Sequence, residues 1–213
     1  ENIDKVPAVS DSEETRKAEI IGQAYFLRAF FYHQLYSLYG RIPLVDHTFD
    51  IDSDWVETRA DMDDVADFIV KDCESAIEKL PLKYESSDDF GRATRGAAMA
   101  VKARTLLYKA SPLFGEPSTE KWQEAAKASK DIIDLGVYSL PTVSSSEEYA
   151  ALFYNTQNPE IIFEKLYNNK GTYGSALHYL FQSPNGPYNG YNGWGVWLPT
   201  YDIVNAFQNE DSG

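Results

Sequence analysis

The sequence predicts a mainly α-helical protein, in which tetratricopeptide-like helix pairs form a stack with loop-rich segments and a few short strands. Three observations predict this fold. Apolar residues recur at helical spacing in four long stretches before residue 136. A glycine or a proline follows each stretch, as is common at helix ends. The predicted helix starts, near residues 13, 58, 93 and 118, suit consecutive antiparallel pairs, although they follow no strict repeat period.

The first helix is predicted from Ser12 to Tyr39, where Gly40 and then Pro43 end it. Its apolar residues form two adjacent stripes, so we expect several neighbouring elements to bury more than half of its circumference. The first stripe comprises Ile20, Ala24, Leu27, Phe31, Leu35 and Leu38. The second stripe comprises Ile21, Tyr25, Ala29, Tyr32, Tyr36 and Tyr39.

The second helix is predicted to begin near Thr58, whose hydroxyl can cap it, and to end before Pro81. The third covers about residues 93–110 and is rich in alanine, whose small side chain lets a neighbouring helix approach closely. The second helix carries one regular apolar stripe, formed by Met62, Val65, Ile69, Cys73, Ala76 and Leu80. Cys73 therefore lies within a predicted buried stripe, and as the single cysteine it cannot form an internal disulfide.

Shorter elements follow the fourth helix, which is predicted over about residues 118–135. A fifth helix is predicted from Ser145, with Glu148 completing a capping box. Glu160–Tyr167 is predicted as a short strand, and a last short helix begins after Pro199.

We divide the chain into a helical scaffold over residues 1–140 and a loop-rich, aromatic-rich segment with short strands over residues 141–213. We expect both to belong to one folded unit of a longer protein, cut short at its C-terminal side.

Charge and hydropathy limit the partners. The 213 residues carry a net charge of −14, which repels phosphate backbones and anionic lipids, so nucleic acid is a poor candidate partner. No run of about 18 apolar residues exists that could span a membrane as a helix. The N-terminus has no signal-peptide core, so either the protein is not exported or the chain begins after its targeting segment.

The most informative segment is Gly171–Tyr201, which contains no Asp, Glu, Lys or Arg in a chain that is 24% charged. Aromatic rings on Asn-Gly turns, with amide side chains between them, suit a neutral ligand with apolar faces and hydroxyl groups, such as a sugar. The alternative is that the rings only pack a long loop onto the helices. The predicted ligand-binding residues are Tyr188, Asn189, Tyr191, Asn192, Trp194 and Trp197.

One acidic stretch has a partial calcium-loop pattern. Asp50, Asp52 and Asp54 occupy alternate positions, and Asp61 stands at the twelfth position. However, Trp55 replaces the glycine that such a loop requires, and the last ligand would be Asp rather than Glu. A solvated acidic loop is therefore the preferred interpretation, and no metal site is predicted.

Catalytic motifs are also missing from the sequence. His33, His47 and His178 lack metal-ligand spacing, and His33 is predicted as a helix-surface or core-edge residue. There is no nucleophile motif and no phosphate-binding glycine loop. A glycosidase needs only two carboxylates, so hydrolysis stays possible, but the aromatic segment contains none. We predict no cofactor and no enzyme activity.

Several stretches, in order, resemble the SusD/RagB family. The first helix resembles the family's signature helix, in which Leu-Arg-Ala precedes Tyr-Gly and Pro-Leu-Val: AYFLRAFFYHQLYSLYGRIPLV. Three later stretches resemble its following helices: TRADMDDVADFIVKDCESAIEKLP, GRATRGAAMAVKARTLLYKA and WQEAAKASKDIIDLGVYSL. Two more resemble a later strand and a Pro-Thr element: NPEIIFEKLY and LPTYDIVNAFQNED. The resemblance covers about residues 13–211.

This resemblance implies a non-catalytic, lipid-anchored protein on the outer membrane, at the cell surface of certain Gram-negative bacteria. The implied partners are an oligo- or polysaccharide ligand, or another nutrient, and a SusC-like TonB-dependent transporter that receives it. The implied membrane contact is only a lipid anchor that this chain does not contain. Family members are more than twice as long, so the chain corresponds to an interior piece.

Two other functions stay open at this stage. A tetratricopeptide-type adaptor would bind a peptide or protein through basic residues, for which Lys102–Lys109 is the best candidate stretch. A glycoside hydrolase is the third possibility.

Overall fold

The computed structural model describes residues 3–52, 56–84, 86–155, 158–166 and 201–206, which fall in two compact units, Glu1–Glu164 and Lys165–Gly213. In the first unit the helices are α1 Asp11–Tyr39, α2 Met62–Lys79, α3 Arg95–Ala110, α4 Thr119–Asp134 and α5 Ser146–Leu152. Short 3-10 turns occupy Ile3–Lys5 and Ser87–Asp89. The described part of the second unit is residues 165–166 and helix α6, Tyr201–Ala206.

Helices α1 to α4 pack in chain order. Helix α1 packs against α2, α2 against α3 and α3 against α4, with a smaller contact between α1 and α3. The prediction of a mainly helical fold with consecutive packed pairs is therefore confirmed. No helix within the described ranges is both long and apolar enough to cross a membrane.

Helix α1 begins and ends at local signals in the sequence. The Ser10 hydroxyl oxygen accepts a hydrogen bond from the Glu13 N–H at 3.3 Å and caps the first turn. At the other end, Gly40 has φ of 66° and its N–H donates to the Tyr36 carbonyl at 2.9 Å. A side chain at Gly40 would be strained by this φ and would also lie 2.8 Å from Cε of Met62.

The expectation that both apolar stripes of α1 are buried is wrong for the first stripe, and also for Tyr39 of the second stripe, which is 69% exposed. All six residues of the first stripe are exposed: Ile20, Ala24, Leu27, Phe31, Leu35 and Leu38. The buried face is formed by Gly22, Phe26, Ala29, His33 and Tyr36. At 100° per residue these two sets lie on opposite sides of the helix. Helices α2 and α3 cover only one side, so helical spacing alone could not identify which apolar side is buried.

Helix α2 begins later than predicted. Its N-cap is Asp61 rather than Thr58, because the N–H of Ala60 donates to the Ile42 carbonyl at 3.0 Å. This bond holds the chain extended beside the end of α1 until Asp61. Ser118 and Ser145, where the sequence predicts helix starts, are N-caps, and Thr94 is the N-cap of α3. Each accepts a hydrogen bond from an N–H three residues ahead.

The core of the first unit lies between α1, α2 and α3, and a second contact region lies between α3 and α4. The predicted stripe of α2 is confirmed, since Val65, Ile69, Cys73, Ala76 and Leu80 are buried. Burial raises the pKa of the Cys73 thiol to about 12, so this cysteine is a neutral core residue. Small residues join α3 to α4: Ala103, Ala125 and Ala128 pack around Leu106.

The short strand predicted for Glu160–Tyr167 is not formed over residues 160–166, and Tyr167 lies outside the described residues. The Asn158 side-chain oxygen accepts from the Glu160 N–H at 2.9 Å and turns the chain. Among the described residues, one backbone bond, from the Ser139 N–H to the Pro159 carbonyl at 3.1 Å, links the residue just before this stretch to the segment after α4. A strand requires a continued ladder of such bonds, so the stretch stays irregular.

Candidate functional site

All six residues predicted to bind ligand lie outside the residues that the structure describes: Tyr188, Asn189, Tyr191, Asn192, Trp194 and Trp197. They therefore stay a prediction. The first unit, however, contains a site that the sequence did not predict.

This site is a cavity of about 450 Å³ at one end of the helices. Its described lining comes from the connection between α2 and α3, from Val137 and Tyr138 after α4, and from residues 158, 159 and 161–164. The lining combines aromatic rings with polar groups. The rings are those of Tyr84, Phe90, Tyr138 and Phe163. The polar groups include Asp89, Arg92, Asn158 and Glu164.

Hydrogen bonds to α1 hold the first wall of the cavity. The Tyr84 hydroxyl donates to the Ala93 carbonyl at 3.1 Å and accepts from the Gln23 amide, also at 3.1 Å. The Gln23 carbonyl oxygen in turn accepts from Arg92 at 3.2 Å. The connection between α2 and α3 is thereby tied to α1 at two points.

The carboxylate of Asp89 in this wall is paired with two arginines. Asp89 accepts from Nε of Arg92 at 2.6 Å and from Arg16 at 3.2 Å. Loss of solvation disfavours the Asp89 carboxylate, but hydrogen bonds and charges from the two arginines outweigh it and lower the pKa of Asp89. The carboxylate is therefore ionised at neutral pH, and its charge is neutralised within the wall.

The second wall depends on a close approach between Tyr138 and α3. A Cβ atom at Gly96 would lie 2.1 Å from the Tyr138 hydroxyl oxygen. Only glycine at this position lets the Tyr138 ring lie against the helix backbone. The ring is consequently held at the edge of the cavity.

The third wall, residues 158–164, is attached at both ends. Asn158 is 8% exposed, and its amide donates to the Leu152 carbonyl at 3.1 Å. The Phe163 ring contacts Phe26 of α1 edge-to-face, with centroids 5.1 Å apart. Between these anchors the aliphatic residues Ile161 and Ile162 line the cavity.

Glu164 differs from the other polar groups of the lining. Its oxygen Oε1 is buried, and no described residue donates a hydrogen bond to it. A carboxylate oxygen can only accept, so this atom requires a donor that the described residues do not supply. Buried polar atoms without a partner are uncommon in folded proteins.

His33 is buried and belongs to no site, so of the two predicted positions the helix surface is wrong. It is 4% exposed, and its Nδ1 lies 3.0 Å from the Thr105 hydroxyl oxygen. That hydroxyl donates to the Val101 carbonyl, so it accepts from His33 and the proton resides on Nδ1. Burial, assisted by the charge of Arg104, lowers the pKa of His33.

Neither the acidic stretch nor the basic stretch singled out in the sequence forms a binding site among the described residues. Asp61 forms an ion pair with Arg41 at 2.7 Å, and Asp54 lies outside the described residues. Among the described residues, no group of three His, Cys, Asp or Glu side chains could hold a metal ion. In the basic stretch, Lys102 pairs with Glu74 at 2.7 Å and Lys109 pairs with Asp67. These two lysines are therefore neutralised by the scaffold itself.

The cavity was missed because its walls are distant in sequence. Two local signals point to it: a glycine in the first turn of α3, and the tyrosine two residues after the glycine that ends α4. Neither one identifies the other as its partner.

The sequence and the fold of this chain are similar to those of SusD-like proteins. A model of a SusD-like family, described as starch-binding and associating with the outer membrane, matches residues 2–107. A curated SusD-like protein of Formosa agariphila is 27% identical over 165 residues, which cover 76% of this chain and 28% of that protein.

Solved structures agree with this match. A SusD-like protein of Bacteroides fragilis is 29% identical with a TM-score of 0.76, over 94% of this chain and 37% of that one. A SusD-like carbohydrate-binding protein of the same species is 25% identical with a TM-score of 0.69, over 96% and 36% of the two chains. The chain thus spans well under half the length of the relatives that it matches.

Proposed function

We propose, from the premise that this chain belongs to the SusD-like family, that it is the glycan-binding part of a non-catalytic nutrient-uptake protein. The ligand is an oligo- or polysaccharide. Rings on loops contact the sugar faces, and amide side chains contact the hydroxyls.

The observation that carries this proposal is the charge-free aromatic stretch, residues 171–201. A neutral ligand gains no ion pair there, and the site loses no solvation of charged groups on binding. The family description, starch-binding, agrees with the same ligand class. So does the carbohydrate-binding protein of B. fragilis, which is similar over nearly the whole of this chain.

The cellular context is part of the proposal. We infer that the whole protein lies on the outer membrane at the cell surface and delivers its glycan to a SusC-like TonB-dependent transporter. Support comes from the family description, which includes association with the outer membrane. The adaptor alternative receives less support, because Lys102 and Lys109 of the candidate basic stretch are paired with Glu74 and Asp67.

Replacement of the two tryptophans tests this proposal. We expect the chain to bind at least one glycan of a broad panel in affinity electrophoresis and calorimetry. Trp194→Ala and Trp197→Ala should each weaken that binding by about 1–3 kcal/mol, by analogy with bases that stack on aromatic side chains. A suitable control is Tyr154→Ala, because Tyr154 is 88% exposed and lies outside both candidate sites.

Two outcomes contradict the proposal. If the unaltered chain binds peptides and no glycan, the ligand class is wrong. If both tryptophan variants keep the affinity of the Tyr154→Ala control, the glycan contacts are made elsewhere.

A further inference from the structure

Glu164 indicates that the cavity of the first unit is a binding site. Its buried Oε1 has no donor among the described residues, whereas the nearby carboxylate of Asp89 has two arginine partners. Folding normally pairs such an oxygen or leaves it in water. A ligand in the cavity can supply the hydrogen-bond donor that the described residues do not.

We propose that the cavity binds one neutral sugar unit, separately from the aromatic segment, and that Glu164 accepts a hydrogen bond from a hydroxyl of that sugar. The proposal rests on the proposed function for the ligand class and on the cavity for the position. The last side-chain torsion of glutamate is broad, so a small rotation brings either carboxylate oxygen to a ligand.

The size and surface of the cavity suit a sugar. Its volume of about 450 Å³ falls within the range of about 300–1,000 Å³ that is typical of small-molecule sites. Phe90 and Phe163 remain 41% and 37% exposed, so ring surface is available to the C–H face of a pyranose. Asn158 is not a contact in this proposal, because its amide groups are already bonded to the backbone.

The charge balance of the lining suits a neutral ligand. Within the described lining, Lys83 and Arg92 balance the carboxylates of Asp89 and Glu164, so these charged groups carry no net formal charge. A hydroxyl supplies the donor that Glu164 requires without adding charge.

The cavity is held open before a ligand arrives. Tyr84 and Arg92 are fixed to Gln23 of α1, Tyr138 lies against Gly96, and Phe163 contacts Phe26. Little side-chain ordering is then needed on binding, which favours affinity in a small site.

The test compares Glu164→Gln with Glu160→Gln in the full chain, using calorimetry with glucose, maltotriose and xylotriose. Glutamine keeps the shape of glutamate and removes the charge that strengthens the hydrogen bond. We expect Glu164→Gln to weaken one binding event about 10- to 100-fold. Glu160 is exposed and does not belong to the cavity lining, so Glu160→Gln should leave binding unchanged.

Phe90→Ala provides a second variant in the same cavity. The Phe90 ring is partly exposed in the connection between α2 and α3, so its loss should weaken the same event without preventing folding. Thermal unfolding checks this, since all variants should melt within a few degrees of the unaltered chain.

Glu164→Gln is also combined with Trp194→Ala/Trp197→Ala in one chain. This combination separates a failure of the inference from a failure of the proposed function. The inference predicts a binding event that survives loss of both tryptophans and is weakened about 10- to 100-fold by Glu164→Gln. It is overturned if every saccharide-binding event depends on the tryptophans and none on Glu164, in which case the proposed function stands. It is also overturned if glucosamine or lysine binds through Glu164 and the neutral sugars do not. If only the Glu164-dependent event exists, the inference holds and the tryptophan site fails.

Discussion

Helix α1 carries large apolar side chains on two opposite sides, and only one side is buried. Phe26 is fully buried against α2 and α3, whereas Phe31, five residues later, is 60% exposed. The two residues are identical in type and share one helix, so intrinsic hydrophobicity cannot explain the difference. The side that is buried is the side where distant parts of the chain supply contacts, including Leu80 of the α2 end and Ala97 of α3.

The edge of the buried side accommodates a charged group, because α2 supplies its partner. Arg28 forms two hydrogen bonds to Asp72 of α2, Nε to Oδ2 at 2.6 Å and Nη2 to Oδ1 at 2.7 Å. The guanidinium also lies 4.9 Å from the centroid of the Phe68 ring. These contacts give a physical role to the Leu-Arg-Ala sequence of α1: Leu27 is exposed, Arg28 is paired and Ala29 is buried.

Substitution of the two phenylalanines tests the comparison most strongly. Phe26→Ala should lower the free energy of unfolding by about 3–5 kcal/mol, because it leaves a cavity among α1, α2 and α3. Phe31→Ala should change it by less than about 1 kcal/mol, since the exposed ring has few contacts to lose. Urea denaturation with a shared m-value measures both. Similar losses in the two variants would mean that the exposed side is covered in solution.

Loss of Arg28 is expected to have the second-largest effect. Arg28→Met leaves the Asp72 carboxylate, which is 3% exposed, without its partner. We expect a loss of about 2–3 kcal/mol, less than for a fully buried pair, because Arg28 remains one-third exposed. The double variant Arg28→Met/Asp72→Leu removes the uncompensated charge and should recover a large part of that loss. An equal loss in the single and double variants would show that the packing of Arg28, rather than its charge, is what matters.

The same contrast explains how far the sequence predicts this structure. Helix ends with short-range signals were found, since the caps Ser118 and Ser145 and the C-terminal Gly40 bond within their own turns. The start of α2 was misplaced because a bond between Ala60 and Ile42, 18 residues apart, decides it. The apolar stripe of α2 was assigned correctly because that helix has only one.

Site prediction depends on contacts at still longer range. The cavity joins residues near positions 84, 138 and 162, and no local pattern relates those positions to each other. The unpaired oxygen of Glu164 is visible only after the chain is folded. The aromatic segment, in contrast, could be predicted from sequence because its signal, the absence of charge over 31 consecutive positions from 171 to 201, is local.

The smallest expected effect concerns protonation of the buried side of α1. Burial disfavours charge on His33. In the folded protein the pKa of its imidazole therefore lies below the value of about 6.5 that it has in the unfolded chain. The unfolded state therefore binds more protons, and His33 contributes to a loss of stability as the pH falls below about 6.5. His33→Gln should reduce the difference in unfolding free energy between pH 7.5 and pH 5.5.

The exposed side of α1 supplies the control for His33. Gln34 is the adjacent, exposed residue, and Gln34→His places a histidine where water solvates both of its protonation states. This variant should keep the pH dependence of the unaltered chain, because its added histidine has similar pKa values in the folded and unfolded states. A reduced pH dependence in His33→Gln alone would assign the effect to burial. An unchanged pH dependence in His33→Gln would mean that other groups, such as the paired carboxylates, account for all acid destabilisation in this range.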